Sequence, residues 1–152
     1  MPVEIANLQE KVEVPAGMFT ALDDVVRAGL VHEGLDPSAV EVSIALVDDE
    51  RIRELNSRYR GVASATDVLS FTMDNCDAPG EPALLGDVVI SLETASREMR
   101  NSGELLSRTV LLAVHGLLHL LGYDHETDED AEEMQAHESD ILAKIALRGD
   151  GE

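Results

Sequence analysis

The stretch His115-Gly116-Leu117-Leu118-His119-Leu120-Leu121-Gly122-Tyr123-Asp124-His125 decides how the rest of the chain is read. It closes a run from Glu104 to Leu121 that is apolar on nearly every side, and a helix of that character has to be buried. The spacing therefore predicts a central helix. His115 and His119 lie four residues apart on it, so they share one face with Cβ atoms about 5–6 Å apart, and both imidazoles reach one metal ion. A third ligand farther along the same helix would lie too far down its axis. Gly122 offers the way out: glycine suits the left-handed conformation just past a helix end, and Tyr123-Asp124 then carry the chain round to His125. Three neutral nitrogen donors leave a fourth position for water, the arrangement of a catalytic rather than a closed structural site. Zinc is the expected metal, one ion per chain, with nickel or another imidazole-binding divalent ion as the alternative. Three imidazoles placed among so many leucines without a metal would leave polar nitrogens unpaired.

The spacing H-x-x-x-H-x-x-G-x-x-H is also that of the metzincin zinc peptidases, which carry Glu directly after the first His as general base. Gly116 stands in that place here. Without a carboxylate to take the proton from a bound water, peptide hydrolysis loses a contribution of about 10²–10⁴-fold, so a zinc peptidase is the second hydrolase reading rather than the first. His32 reads as a helix-end residue and His137 as part of a solvated acidic face. Cys76 reads as an incidental free thiol. Asp124 is a candidate partner of the metal site and equally a turn-forming residue, while Asp67 and Asp87 fit strand entries.

Working outward, Val3 to Asn7 alternates as a short edge strand, and Val14-Pro15 introduces a helix with Met18, Leu22, Val25, Val26 and Leu30 inward, ended by Gly34. Val40 to Val47 reads as a strand. Asp48 or Asp49 can cap the next helix, which buries Ile52, Leu55 and Tyr59 and stops at Gly61. Val68 to Phe71 and Leu85 to Ser91 are strands around a Pro/Gly/Asp loop where mobility is expected, followed by a helix from Leu92 to Arg100 and a break at Asn101-Ser102-Gly103. Thr127 and Asp130 have capping-box spacing and open an acidic carboxy-terminal helix with Met134, Ile141, Leu142 and Ile145 inward. Strands and helices interleave irregularly. The expectation is an α+β fold, one domain spanning residues 1–152 with disordered ends, a mixed sheet of about four strands, and helices packed against it.

Thirty-one acids against eleven bases give a formal charge of −20, which disfavours a polyanion partner unless the few bases are gathered in one place. Nine carboxylates and no base lie between Asp124 and Asp140, whereas Arg51, Arg53, Arg58 and Arg60 face only Glu54 in their own stretch. A nuclease this acidic needs a localised basic groove or a ribosomal partner that presents the RNA, and Arg51, Arg58, Arg60 and Arg97 scattered away from the histidines would weaken that reading. No membrane span or secretion signal is apparent, the lone cysteine excludes an internal disulfide, and cytoplasm is the default location. Absence of GxGxxG and GxxxxGK[ST] patterns removes the commonest nucleotide cofactor sites.

HGLLHLLGYDH, taken with the upstream LNSRYRG, TDVLSF and GDVVIS, resembles the YbeY family of bacterial endoribonucleases from about Leu46 to Leu142. The resemblance implies a zincin-like α+β domain with His115, His119 and His125 as zinc ligands. It assigns catalysis to Arg60 together with the ligand His115. It also implies a single-strand endoribonuclease that matures the 3′ end of the small-subunit ribosomal RNA and takes part in ribosome assembly and quality control. The partners would be ribosomal RNA and the small subunit or its assembly factors. Val62, Ala65 and Thr72 stand where members often have Lys, Pro and Pro, which removes extra phosphate contacts near Arg60 and loosens the 61–66 loop. The alternatives from the residues themselves remain the zinc peptidase and a noncatalytic ribosome-assembly factor with a structural metal.

Overall fold

The computed structural model describes residues 3–61, 66–72, 83–97, 102–123 and 127–150. Four strands, β1 (Val3–Asn7), β2 (Val40–Val47), β3 (Val68–Thr72) and β4 (Ala83–Ser91), form one sheet in the order β1-β2-β4-β3. The first two pairings are parallel, β1 on β2 and β2 on β4, and β3 runs antiparallel to β4. The helices are α1 (Met18–His32), α2 (Asp49–Arg60), α3 (Leu92–Arg97), α4 (Ser102–Leu120) and α5 (Asp128–Asp150).

Alternation along the strands sorts the core into two parts. Val42, Ile44 and Leu46 of β2 and Val88 and Ile90 of β4 join the buried residues of α1, α4 and α5, whereas Val47, Leu69 and Val89 pack with Ile52 of α2 on the opposite face. A strand covered on both faces has no polar side to show, which is why β4 reads as the unbroken apolar run Val88-Val89-Ile90. Burial of the large aliphatic side chains in the main cluster, each worth roughly 1.5–3 kcal/mol, holds α4 against the sheet. That helix is the centre of the fold: it touches α1, α3, α5, β3 and β4.

The helix ends follow their local chemistry. Asp48 caps α2 by accepting from the Arg51 amide at 2.9 Å, and Gly61 ends it. Thr127 accepts the Asp130 amide at 3.0 Å at the start of α5. Some boundaries differ from the sequence expectation. Helix α1 begins at Met18 rather than beside Pro15, with Gly17 before it, and α4 begins at Ser102, inside the expected break. Helix α5 runs to Asp150, and its Leu142 and Ile145 pack against the core. The loop expected to be mobile falls outside the described residues, as do residues 98–100 at the expected end of α3. Among the described residues no helix is long and apolar enough to cross a membrane.

Candidate metal centre

His115 and His119 project from one face of α4 with their rings 4.6 Å apart at 76°, and their Nε2 atoms are 3.1 Å apart. Two donors bound to one zinc at about 2.0–2.1 Å and tetrahedral angles are separated by about 3.3–3.4 Å, so these two nitrogens already stand close to the spacing one ion requires. The other nitrogen of His115 is occupied: Nδ1 lies 3.0 Å from Glu138 Oε2 of α5. A carboxylate only accepts, so His115 carries its proton on Nδ1 and turns the Nε2 lone pair toward His119. A carboxylate on the far nitrogen is the usual support of a metal-binding histidine, fixing its tautomer and ring orientation. The donor set fits a divalent ion. Glu138 escaped the sequence reading because the acidic stretch it belongs to looks like a solvated face; its only signal was the i+4 spacing from Met134, which turns it partly inward.

Gly122 ends α4 as expected. Its φ is 100°, its amide donates to His119 O at 3.1 Å, and the Tyr123 amide donates to Leu118 O at 3.0 Å, the paired bonds of a Schellman turn. The chain thereby leaves the helix axis one turn beyond His119. His125 and Asp124 lie outside the described residues.

The two histidines line a cavity of about 520 Å³ together with Thr66, Asp67, Val68, Leu69, Ser70 and Thr72. Most of that wall is β3, whose second edge has no strand partner among the described residues. Ser70 Oγ donates to Gly116 O at 2.9 Å and ties the strand to the helix beside His115. Gly116 itself is a packing residue: a Cβ there would come within 2.5 Å of Val88 Cγ1. The metzincin glutamate therefore has no room at this position, since β4 already fills the space.

Arg60 is the last residue of α2, and its side chain lies outside the described residues. The preceding Tyr59 packs edge-on against Phe71 with ring centroids 5.2 Å apart, which brings the end of α2 to the end of β3 whose Thr72 lines the cavity. The other arginines are not gathered there. Arg51 and Arg58 sit on α2, across the sheet from α4; Arg58 pairs with Glu54 at 3.8 Å, and Arg97 pairs with Asp49. Asp67 accepts from Arg108 at 3.0 Å. Burial pushes the Asp87 carboxyl above its ordinary value.

His32 and His137, read from the sequence as unconnected, meet. His32 Nε2 is 3.2 Å from His137 Nδ1, which lies 2.8 Å from Glu33 Oε2. One residue is at the end of α1 and the other in the middle of α5, and nothing in either local pattern signals a pairing that arises when α5 folds back over α1. The three side chains can hold a metal ion. Tyr123 donates to Glu33 Oε1 at 2.6 Å, and that bond, with burial and the Glu33 and Glu133 charges, raises the phenol to about 12.

Residues 4–146 match the family model described as Endoribonuclease YbeY. Curated relatives carrying that name include proteins of Desulforamulus reducens, 43% identical, and Moorella thermoacetica, 45% identical, each alignment covering 97% of this chain and 99% of the relative. A Pelotomaculum thermopropionicum relative of the same name is 46% identical over the same shares. The solution structure of TM1509 from Thermotoga maritima superposes with a TM-score of 0.58 over 99% of this chain and 95% of that one, at 22% identity, a likeness of fold.

Proposed function

This chain belongs to the Endoribonuclease YbeY family, and from that premise we propose that it is a zinc-dependent single-strand endoribonuclease of ribosomal RNA maturation. The observation that carries the metal part is the pair of Nε2 atoms 3.1 Å apart with Glu138 behind one of them. His115, His119 and His125 would hold the ion. When bound, zinc supplies Lewis-acid polarisation of a phosphoryl oxygen and lowers the pKa of a water toward neutrality.

The chain's own residues do the rest. Glu138 keeps the His115 ring in one tautomer and orientation. Gly122 turns the chain off the helix axis beyond His119, which would let His125 join the same ion. The edge of β3 gives an extended substrate a straight wall beside the histidines. Arg60 is assigned to the phosphoryl oxygens, because a guanidinium can hold two of them with parallel N–H bonds where one ammonium cannot. The substrate class follows the family: ribosomal RNA, at the 3′ end of the small-subunit RNA, in the cytoplasm, with the small subunit or its assembly factors as partners and a role in assembly and quality control.

One observation favours a second reading. Arg58 and Arg97 are paired with acids and α2 lies across the sheet from α4, so no broad basic groove surrounds the histidines among the described residues. A noncatalytic ribosome-assembly factor with a structural metal would need none. Metal analysis combined with RNA and casein cleavage by wild type and His115→Ala separates these readings. Chelator-sensitive RNA cleavage lost in the variant supports the nuclease. Bound metal without any cleavage, with the ribosomal partner present, supports the assembly factor, and chelator-sensitive casein cleavage would support the peptidase.

A further inference from the structure

We infer that His32, Glu33 and His137 form a second divalent-cation site, distinct from the His115 centre, that clamps the end of α1 to α5. Donor geometry is the first ground: His32 Nε2, His137 Nδ1 and Glu33 Oε2 form a triangle with sides of 3.2, 2.8 and 3.6 Å. Bonds of about 2.0–2.2 Å at tetrahedral angles separate neighbouring donors by about 3.3–3.6 Å, so the three atoms need move only a few tenths of an ångström to share one ion.

Protons alone fit the triangle less well. Lys144 Nζ lies 3.0 Å from His32 Nδ1, and an ammonium only donates, so neutral His32 carries its proton on Nε2. If His137 Nδ1 accepts that proton, it turns a lone pair on the Glu33 carboxylate 2.8 Å away. If Nδ1 donates to Glu33 instead, the His32 N–H is left facing Oε2 at 3.6 Å, too far for a hydrogen bond. A cation at the centre satisfies all three atoms, and only the exposed Lys144 has to swing away.

The surroundings suit a positive charge. Glu33 is the cap residue of α1, where the helix presents the negative end of its dipole. Next to the cluster is a cavity of about 510 Å³ whose wall includes Glu33, Asp130 and Glu133, an acidic route in from solvent. Two imidazoles and one carboxylate form a borderline donor set, so the expected occupant is Zn²⁺, with Co²⁺ or Ni²⁺ next, rather than Mg²⁺ or Ca²⁺. Glu33 Oε1 already holds the Tyr123 hydroxyl, which leaves Oε2 for the ion.

The test is a chelator-buffered Zn²⁺ titration of the full chain as wild type, His137→Ala and Glu33→Gln. The same titration is made on the His115→Ala/His119→Ala double variant with and without His137→Ala. The wild type is expected to take up one zinc per chain more than His137→Ala, and the double variant to bind one zinc that raises its Tm. In the double variant, His137→Ala should weaken that ion by more than about 100-fold, beyond the 10–100-fold of an outer-shell change. Glu33→Gln, nearly identical in shape, should lower uptake while keeping the fold. Equal zinc uptake by wild type, His137→Ala and Glu33→Gln would overturn the site. So would zinc binding to the double variant that His137→Ala leaves unchanged, since surface carboxylates would then be the ligands. Should the double variant not fold, the comparison of wild type with Glu33→Gln decides alone.

Discussion

Glu138 Oε2 and His115 Nδ1 are 3.0 Å apart, and this contact between α5 and α4 engages one nitrogen of His115 and leaves the other, Nε2, facing His119. Changing Glu138 to Gln keeps the shape and loses the charge that makes the ring a better donor. Metal affinity should fall by about 10–100-fold in a chelator competition, with little change in Tm of the metal-free protein. An affinity equal to wild type would show that the contact is only a packing feature.

Removal of a ligand should act far more strongly. His119→Ala, and separately His125→Ala, should lose the metal of the α4 centre, and RNA cleavage with it, while far-UV dichroism stays that of the folded chain. Full metal occupancy of that centre in His119→Ala, measured in the His137→Ala background to exclude the second cluster, would rule out the assignment.

Arg60→Ala should lower single-turnover RNA cleavage by roughly 10²–10³-fold, the cost of removing one donor aimed at developing charge, without loss of metal or Tm. Arg60→Lys should restore binding more than turnover, because it keeps the charge and loses the fork. With Arg58, Arg97 and Arg108 each paired to an acid among the described residues, the salt dependence of RNA affinity should also be shallow. A log–log slope no steeper than about −2 corresponds to two or three phosphate contacts. Wild-type cleavage by Arg60→Ala would return Arg60 to a helix-end role.

Gly116→Ala pits helix propensity against packing. Alanine gains about 1 kcal/mol over glycine inside a helix, but a Cβ 2.5 Å from Val88 Cγ1 overfills the interface at a cost of about 1–3 kcal/mol. Packing should win, with a lower denaturation midpoint. Gly116→Ala combined with Val88→Ala should recover part of the loss if the overlap is the cause.

Acid stability should depend on Asp49. Burial alone would raise its carboxyl, yet bonds from Thr94, Arg97 and Ser91 outweigh that and hold it below the ordinary carboxylate value. A depressed folded value stabilises the protein above the unfolded one and is lost as pH falls through the folded value. Asp49→Asn should therefore cost about 1–3 kcal/mol at pH 7 and at pH 5, and the gap to wild type should close below about pH 4. A gap independent of pH down to acid unfolding would mean that the charge contributes nothing.

Much of this architecture was legible because it rests on local periodicity. Alternation predicted β1 and β2 at Val3–Asn7 and Val40–Val47, and the all-round apolar character of α4 predicted its central place. Gly122 announced the turn after His119, since few other residues adopt its backbone conformation cheaply. What stayed hidden depends on elements far apart in the chain. Glu138 supports His115 across 23 residues, and His137 meets His32 across 105, and neither has a pattern that a window of one helix can register. Gly116 was read through the absence of a catalytic carboxylate, whereas its local cause is the closeness of Val88.

The strand order has a consequence for how the chain assembles. Residues 68–120 contain β3, β4, α3 and α4, and they are contiguous in sequence, whereas β1 must find β2 about forty residues downstream and β2 must find β4 about as far again. Closing those two parallel pairs costs more chain entropy than folding the β3–β4 antiparallel pair under α4, so the stretch that carries His115 and His119 is the one able to organise first. β1, paired along one edge alone among the described residues, is then the natural last arrival, and pulsed hydrogen exchange would see its amides protected after those of β4.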